Sequence, residues 1–306
     1  MNYLVTGAAG FIGSALARKL ITQGHNVWII DNLSTGIREN IPQEAFFIEG
    51  NCQDPSVIDN LDNVKFEAIF HIAGQSSGEI SFDDPVYDLQ TNTQSTLLLL
   101  KYALKVGCKK FIYASTMSVY GDQDILPVNE ESPTFPKSFY GVGKLASEHY
   151  LRIYSEFNIN CTALRLFNVY GPGQNMENLR QGMVSIFLAQ ALKNNHIHVK
   201  GDKNRFRDFV FIDDVINSFL LAEKSKLNGY NCWNVSAGEK TTIDFLLKTM
   251  IQEIGNEVTV EFDGKTLGDQ FGIFGNNDLI KNKIGWTPRC RLTEGLKLMI
   301  NWAKGN

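Results

Sequence analysis

Residues 3–31 read YLVTGAAGFIGSALARKLITQGHNVWIID, in which short apolar runs frame a glycine-rich turn and a helical pattern. The first apolar run leads into the turn over 7–13, and residues 14–23 then place apolar side chains at helical spacing. A second apolar run, 27–30, ends at Asp31. This order predicts a βαβ unit at the start of a doubly wound parallel sheet.

The turn carries Gly7, Gly10 and Gly13, a GxxGxxG spacing between the predicted strand and helix. Glycine takes the backbone angles of a tight turn at low cost, and it lets a phosphate approach the amides at a helix N-terminus. Asp31 follows 24 residues after Gly7, where a carboxylate can accept hydrogen bonds from a ribose diol and would repel a 2′-phosphate. These residues predict a site for NAD rather than NADP. The alternatives are glycines that serve close packing alone and a solvated Asp31.

The alternation of strand and helix continues to about residue 168 and then becomes less regular. Runs that are apolar throughout predict an α/β fold, a doubly wound parallel (Rossmann) sheet covered on both faces, with a smaller C-terminal α/β lobe. The further strands of the sheet are predicted at 45–48, 68–72, 110–113 and 161–166, and helices at 55–61, 86–106 and 139–157. We predict a Rossmann domain over 1–168 plus about 206–235, and a lobe over 169–205 and 236–306.

Tyr140 and Lys144 occupy positions i and i+4 at the start of the helix predicted over 139–157. Residues at this spacing share one face of a helix. An ammonium group beside a phenol, together with the helix N-terminus, is expected to lower the pKa of Tyr140 towards neutrality. The pair predicts a catalytic base; the alternative is a surface tyrosine beside a solvated lysine.

Small hydroxyl side chains end the strand in FIYASTMSVYG, residues 111–121. Ser115, Thr116 and Ser118 fall at its C-terminal end, where doubly wound folds place their ligands. A hydroxyl there could share a substrate proton with Tyr140. A strand-end turn that is merely rich in small residues is the alternative.

The composition excludes several classes of partner. The 306 residues are 43% hydrophobic and 20% charged with a formal net charge of −4, which is not the strongly basic balance of a nucleic-acid-binding protein. Charges interrupt the apolar stretches well short of a membrane span, and the N-terminus has no signal-peptide pattern. We therefore expect no nucleic acid partner and no membrane insertion.

Cysteine and histidine patterns favour neither disulfides nor a metal site. The cysteines are scattered without a CxxC pair, which favours reduced thiols and a cytoplasmic location: Cys52, Cys108, Cys161, Cys232 and Cys290. His196 and His198 alternate on a predicted strand without a third ligand nearby, so we expect no metal.

Motifs along the whole chain, taken together and in order, resemble the extended short-chain dehydrogenase/reductase family. Within it, the likeness is to the NAD-dependent nucleotide-sugar epimerases and dehydratases, above all the UDP-glucose 4-epimerases. The motifs are GAAGFIG (7–13), Asp31, HIAGQ (71–75), Asn92, STMSVYG (115–121), YGVGK (140–144), RLFNVYGPG (165–173) and RDFVFIDDV (207–215).

The resemblance implies NAD-dependent epimerisation at C4 of a nucleotide-activated hexose through a transient 4-keto sugar. UDP-glucose and UDP-galactose are the implied substrates, with N-acetylhexosamine and uronate forms as further candidates. Tyr140 is implied to be the catalytic base, Lys144 its partner on the nicotinamide ribose, and Thr116 the third catalytic residue. NAD is regenerated in each cycle, so the protein must keep it bound.

The same positions imply the binding residues. Those implied to bind NAD are Gly7, Gly10, Phe11, Ile12, Asp31, Asn32, Ser34, Thr35, Asn51, Cys52, Ile72, Ala73, Gly74, Gln75, Asn92, Ser115, Tyr140, Lys144 and Phe167. Those implied to bind the UDP-sugar are Ser76, Thr116, Tyr140, Asn168, Val184, Arg207, Asp269 and Ile273.

Three positions depart from the family pattern. Asn51 stands where an aspartate reaches the adenine, and Thr266 replaces a second arginine for the diphosphate. Arg207, with its bidentate guanidinium, is still expected to bind those phosphates. Ile273 stands where some epimerases carry a tyrosine that excludes N-acetylated sugars, so an N-acetyl group is expected to fit.

Other reactions of the family remain alternatives, namely dehydration, decarboxylation and 4-ketoreduction. The dehydratases and decarboxylases place an acidic residue just after the catalytic hydroxyl, and elimination needs such a general acid or base. Met117 and Ser118 stand there instead, which favours epimerisation. Outside enzymes, the alternative is a non-catalytic NAD-sensing protein, although such chains usually lose the tyrosine or lysine.

The helices predicted over 86–106 and 139–157 carry apolar residues on more than one face. With the resemblance, this pattern implies a homodimer through a four-helix bundle. A contact with the second lobe would explain the pattern equally well.

Overall fold

The computed structural model describes residues 1–264, 268 and 270–305. Over these residues the strands are β1 (Asn2–Thr6), β2 (Asn26–Asp31), β3 (Phe46–Glu49), β4 (Ala68–His71), β5 (Lys110–Thr116), β6 (Asn160–Leu166), β7 (Asn168–Tyr170), β8 (His196–Lys200), β9 (Phe206–Arg207), β10 (Phe209–Phe211), β11 (Tyr230–Val235), β12 (Thr241–Thr242) and β13 (Thr259–Asp263). The α-helices are α1 (Phe11–Thr22), α2 (Pro55–Asp59), α3 (Pro85–Leu89), α4 (Ser95–Val106), α5 (Phe139–Ser155), α6 (Met183–Asn194), α7 (Ile212–Lys224), α8 (Ile243–Ile254), α9 (Asp278–Ile284) and α10 (Leu292–Ala303).

Seven parallel strands form the central sheet in the order β11-β6-β5-β4-β1-β2-β3. The order reverses at β1, which lies between β2 and β4, so a crevice opens at the carboxyl ends of these strands. Successive residues Leu4 and Val5 are both fully buried and pack into the cores on opposite faces of the sheet. The predicted doubly wound α/β fold is confirmed.

The remaining strands form three two-stranded pairs, β7 with β10, β9 with β12 and β8 with β13. The chain leaves the central sheet after β6 and returns to it with β11, which pairs with β6. β11 falls within the segment 206–235 that the sequence assigns to the first domain. The division into two domains stays a prediction.

Two helices differ in detail from the sequence-based expectation. α1 begins at Phe11, three residues early, because Gly10 takes the extended backbone of an N-cap. The helix predicted over 86–106 is divided by a π-helical turn, Gln90–Gln94, between α3 and α4. In this turn the carbonyl of Asn92 accepts hydrogen bonds from the hydroxyls of Thr96 and Ser147, at 2.7 and 2.9 Å. No helix in the described part of the chain is long and apolar enough to cross a membrane.

Candidate active site

The glycine turn between β1 and α1 leaves no room for a side chain at Gly7 or Gly13. Gly7 has a φ of +72°, and a Cβ there would lie 2.7 Å from the backbone nitrogen of Ala73. A Cβ at Gly13 would overlap the carbonyl oxygen of Gly7. Gly10 caps α1 without a side-chain hydrogen bond and lines the crevice. The helix N-terminus is therefore presented as bare backbone, an arrangement that binds phosphate.

Asp31 ends β2 with a largely buried carboxylate. Oδ2 accepts a hydrogen bond from the Ala9 amide at 2.9 Å, and Oδ1 accepts one from the Leu33 amide at 2.8 Å. Each carboxylate oxygen can accept a further bond, so the group is fixed and still able to bind a diol. The neighbouring Asn32 donates to Oδ1 of Asn51 at 2.7 Å, and Asn51 itself is exposed outside the crevice.

A cavity of about 630 Å³ runs from the glycine turn to Tyr140 and Lys144. Its glycine-lined end with a fixed carboxylate, and its size, fit a dinucleotide. It is lined by most of the residues predicted to bind NAD, namely Gly7, Gly10, Phe11, Ile12, Asp31, Asn32, Ser34, Thr35, Cys52, Ile72, Ala73, Gly74, Gln75, Ser115, Tyr140, Lys144 and Phe167. Of the residues predicted to bind substrate, Ser76, Thr116, Asn168 and Val184 also line it.

Tyr140 and Lys144 lie in the first turns of α5, beside the end of β5. Lys144 is 3% exposed, and its Nζ donates a hydrogen bond to the carbonyl of Ala114 at 3.0 Å. The same Nζ lies 5.8 Å from the centroid of the Tyr140 ring. A Cβ at Gly141 would lie 2.8 Å from the carbonyl oxygen of Ser118, so glycine allows the helix to approach the strand end.

The electrostatics of this pair differ from the expectation. Burial raises the pKa of Tyr140 to about 12, and hydrogen bonding with Thr116 lowers it only in part. Burial also lowers the pKa of Lys144 to about 8. The predicted fall of the Tyr140 pKa towards neutrality is wrong for this geometry, because desolvation of the phenolate dominates and the Lys144 ammonium is directed at Ala114.

A second cavity, of about 330 Å³, adjoins the first and shares Met117, Ser118 and Asn168 with it. Its lining includes several basic side chains, namely Lys137, Arg180, Lys200, Arg205 and Arg207. Arg207 is 2% exposed and donates to the carbonyl of Gln270 at 2.8 Å, which fixes its guanidinium. This arrangement suits an anionic ligand such as a diphosphate.

Asn92, predicted to seat the cofactor, lines neither cavity. It is fully buried, and its Nδ2 donates to the carbonyl of Gln75 at 2.9 Å and to the carboxylate of Asp88 at 3.1 Å. Sequence reasoning missed Asp88. The signal available was its spacing of four residues from Asn92 in one predicted helix, which places both side chains on one face.

Ile273 also lines neither cavity, and its contact with the sugar stays a prediction. Its side chain is fully buried in the hydrophobic core. The backbone there is bound to another strand, since Phe206 bridges to Gly272 and the Phe206 carbonyl accepts from the Ile273 amide. Asp269 and Thr266 lie outside the described residues.

The segment between β7 and α6 was also missed. Its residues that line one or both cavities are Gln174, Asn175, Asn178, Leu179, Arg180, Gln181 and Gly182. Arg180 forms an ion pair with Asp83 at 2.6 Å, and Gln181 donates to Oγ of Ser76 at 2.5 Å. These contacts fasten the segment to the opposite wall. They join residues about a hundred positions apart in the sequence, so no local sequence pattern predicts them.

Within the described ranges, no group of three or more His, Cys, Asp or Glu side chains is placed to hold a metal ion. His198 lines the second cavity and contacts the carboxylate of Asp263 at 2.5 Å.

The chain matches the model of the NAD dependent epimerase/dehydratase family over residues 3–236. It is 36% identical to a putative UDP-glucose 4-epimerase of Methanocaldococcus jannaschii over 99% of this chain and 98% of the relative. The fold is similar to that of the UDP-glucose 4-epimerase of Thermotoga maritima crystallised with UDP-glucose, with a TM-score of 0.94 and 36% identity over 100% and 99% of the two chains.

A second solved structure is the UDP-glucose 4-epimerase of Thermus thermophilus in complex with NAD. It has a TM-score of 0.93 and 31% identity, covering 100% of this chain and 99% of that one. These findings confirm the predicted family, the NAD cofactor and an enzyme of the epimerase class. The chain belongs to the NAD dependent epimerase/dehydratase family.

Proposed function

We propose that this enzyme interconverts UDP-glucose and UDP-galactose by epimerisation at C4. The observation that carries the proposal is the position of Tyr140, Lys144 and Thr116 at the end of the larger cavity, next to the Met117–Ser118 wall that borders the basic second cavity. A dinucleotide and an anionic nucleotide-sugar can thus both reach the same phenol.

The larger cavity would hold NAD through the chain's own fixed groups. The α1 N-terminus at Gly10 would meet the pyrophosphate, and the Asp31 carboxylate would accept from the adenosine ribose. Lys144 would donate to the nicotinamide ribose. When bound, NAD supplies a positively charged nicotinamide that takes a hydride from the sugar and returns it.

Tyr140 would accept the proton of the C4 hydroxyl and later give it back. Its raised pKa means that this role depends on positive charge near the phenol, since an opposite charge stabilises the phenolate. Lys144 provides such a charge in its protonated form. Thr116 lies close enough to hydrogen-bond with Tyr140, which suits it to orient the sugar hydroxyl.

The second cavity would hold the UDP moiety. Arg207 and Arg205 would meet the diphosphate, and anchoring there would leave the hexose free to present either face of C4 to the cofactor. Glucose and galactose forms are the first candidates. Ile273, from which the sequence predicts room for an N-acetyl group, is fully buried and lines neither cavity.

Epimerisation is favoured over elimination or decarboxylation by the acids near the site. Among the described residues that line the two cavities, the carboxylates are Asp31 and Glu79. Asp31 lies at the dinucleotide turn, and Glu79 forms an ion pair with Lys200 at 3.2 Å. Neither is at the end of β5, where a leaving group would need a general acid.

A homodimer is also part of the proposal. Val86 and Leu89 on α3, and Val142 and Ile153 on α5, are each more than half exposed although apolar. Exposed apolar side chains on two adjacent helices favour a helix-to-helix interface, and two copies would form a four-helix bundle. We further propose a cytoplasmic location, which suits five free cysteines.

The test is incubation of the purified NAD-containing protein with UDP-galactose, followed by proton NMR of the sugar. UDP-glucose should accumulate to an equilibrium mixture, and Tyr140→Phe should lower the rate about 10²–10⁴-fold while the protein keeps its NAD. Tyr154→Phe, on the same helix, is the matched control. Loss of water or CO₂, or no turnover of any UDP-hexose, would overturn the proposal. An unaltered function in Tyr140→Phe would instead indicate an NAD-sensing protein.

A further inference from the structure

Asp88, in α3, carries a buried carboxylate that is paired only with neutral donors in the described part of the chain. It is 0% exposed. Oδ2 accepts hydrogen bonds from Nε2 of Gln75 at 2.9 Å and from Nδ2 of Asn92 at 3.1 Å. Oδ1 is buried and has no hydrogen-bond partner there. An isolated buried carboxylate is costly, and such groups are enriched at functional sites.

The carboxylate faces the helix that carries the catalytic pair. A Cβ added to Gly143 would lie 3.5 Å from Oδ1 of Asp88, and Gly143 immediately precedes Lys144. Asn92 connects the two groups on another side, since a Cβ added to Gly74 would overlap Oδ1 of Asn92 and lie 3.6 Å from Nζ of Lys144. Asp88 and the Lys144 ammonium therefore share one buried region between α3 and α5.

Another buried carboxylate near Lys144, on α5 itself, is already neutralised. Glu148 accepts from the Arg165 guanidinium through both oxygens, at 3.0 and 2.7 Å. Its charge is balanced within that pair, so Glu148 stabilises the Lys144 ammonium only weakly.

The other titratable groups facing Lys144 are neutral. From β5, the Tyr113 ring lies 4.7 Å from Nζ, and burial raises the pKa of this tyrosine. From β4, burial and the charge of Lys144 hold the pKa of His71 well below its usual range. Tyr140 also has a raised pKa. Asp88 remains as the uncompensated negative charge beside Lys144.

We propose that Asp88 is a positioning residue of the active site, whose carboxylate keeps the buried Lys144 ammonium charged beside Tyr140. The proposal rests on the function proposed above. The same carboxylate orients Asn92 and Gln75, and so holds the loop after β4 that lines the cofactor cavity. The charges act on each other in both directions: Asp88 raises the pKa of Lys144, and Lys144 lowers that of Asp88, which burial raises to about 6.

The first test is the pH profile of Asp88→Asn, a variant of the same shape without the charge. Because a negative neighbour favours the ammonium, its removal should move the alkaline limb of kcat down by about one pH unit or more. Activity at pH 8 should fall about fivefold or more, with KM changed less than about twofold. Glu156→Gln, at the exposed end of α5, is the control and should leave the limb in place. A uniform loss of activity with an unmoved limb would overturn the proposal.

The second test needs neither a folded Asp88→Asn variant nor turnover. Linkage requires the coupling to be reciprocal. In Lys144→Met, the pKa of Asp88, followed through the ¹³C signal of its carboxyl group, should therefore rise. The rise should equal the amount by which Asp88 raises the pKa of Lys144, about one pH unit or more. An unchanged Asp88 titration would overturn the proposal. Because this readout is independent of epimerisation, failure of the proposed function and failure of the charge coupling give different results.

Discussion

Glu148 and Arg165 form a bidentate ion pair in the interior, with Nε to Oε1 at 3.0 Å and Nη2 to Oε2 at 2.7 Å. Both side chains are less than a tenth exposed. The same Oε1 accepts from the hydroxyl of Ser115 at 2.5 Å, and Ser115 directly precedes Thr116. The pair thus ties α5 and β6 to the strand end that carries Thr116, the proposed catalytic hydroxyl.

Breaking this ion pair from one side should be strongly destabilising. Glu148→Gln leaves the Arg165 guanidinium buried without a counter-charge, so the free energy of unfolding should fall by about 3–5 kcal/mol in urea titrations. The double variant Glu148→Leu with Arg165→Met removes both charges and should recover most of that loss. A double variant that loses as much free energy of unfolding as Glu148→Leu and Arg165→Met lose in sum would contradict this interpretation.

Asp31 should determine the affinity and the choice of dinucleotide. Asp31→Asn removes the negative charge that accepts from a ribose diol and repels a 2′-phosphate, so the Kd for NAD should rise about tenfold or more and discrimination against NADP should narrow. Isothermal titration of cofactor-stripped protein measures both. Glu49→Gln, an exposed acid at the end of the adjacent strand, is the control. Unchanged discrimination would show that Asp31 does not face the ribose.

The burial of Lys144 should be visible as a pH-dependent stability. Its pKa is about 8 in the folded protein against an ordinary 10.5, so the unfolded chain binds more protons between these values and stability rises with pH across that window. The free-energy cost of burying the Lys144 ammonium is fully present below pH 8. Lys144→Met should therefore gain about 1–3 kcal/mol at pH 7, and the gain should shrink between pH 8 and 10.

Thermal unfolding at stepped pH provides this comparison, with Lys193→Met on the exposed face of α6 as the control. If the stability gained in Lys144→Met does not change with pH, the gain does not come from removal of the ammonium. The ionisation of Tyr140 affects stability only above this window. Because its pKa is raised, it makes stability fall as pH rises from about 10 to about 12.

The exposed apolar faces of α3 and α5 should form the dimer interface. Val142→Glu places a charge in the centre of the proposed bundle and should convert the dimer to a monomer in sedimentation velocity. Ile125→Glu changes a side chain that is 82% exposed in the loop before α5 and should leave the dimer intact. A wild-type monomer, or equal effects of the two variants, would contradict the proposed interface.

Local spacing was enough to predict the cofactor end of the site and the central sheet. The glycines of the first turn and Asp31 lie within one βαβ unit, and their roles follow from backbone conformation and the position of a carboxylate at a strand end. Tyr140 and Lys144, predicted as a catalytic pair from their shared helical face, both line the larger cavity.

Properties set by distant residues were not predictable in the same way. The pKa of Tyr140 depends on how much of the fold excludes water from it, and desolvation outweighed the effect expected of Lys144. The burial of Ile273 could not be predicted, because its backbone bonds to Phe206 in a segment far away in the chain. Asp88 lay in a helix predicted to carry apolar residues on more than one face, and only its packing against α5 reveals an interior carboxylate.

In the proposed reaction a hydride leaves C4 of the hexose and returns to the same carbon from the other side. The most direct measurement is NMR of the product formed from UDP-galactose deuterated at C4, in ordinary water. The UDP-glucose formed should keep its deuterium at C4. Product carrying hydrogen from water at C4, or no UDP-glucose from NAD-containing protein, would contradict the proposed reaction.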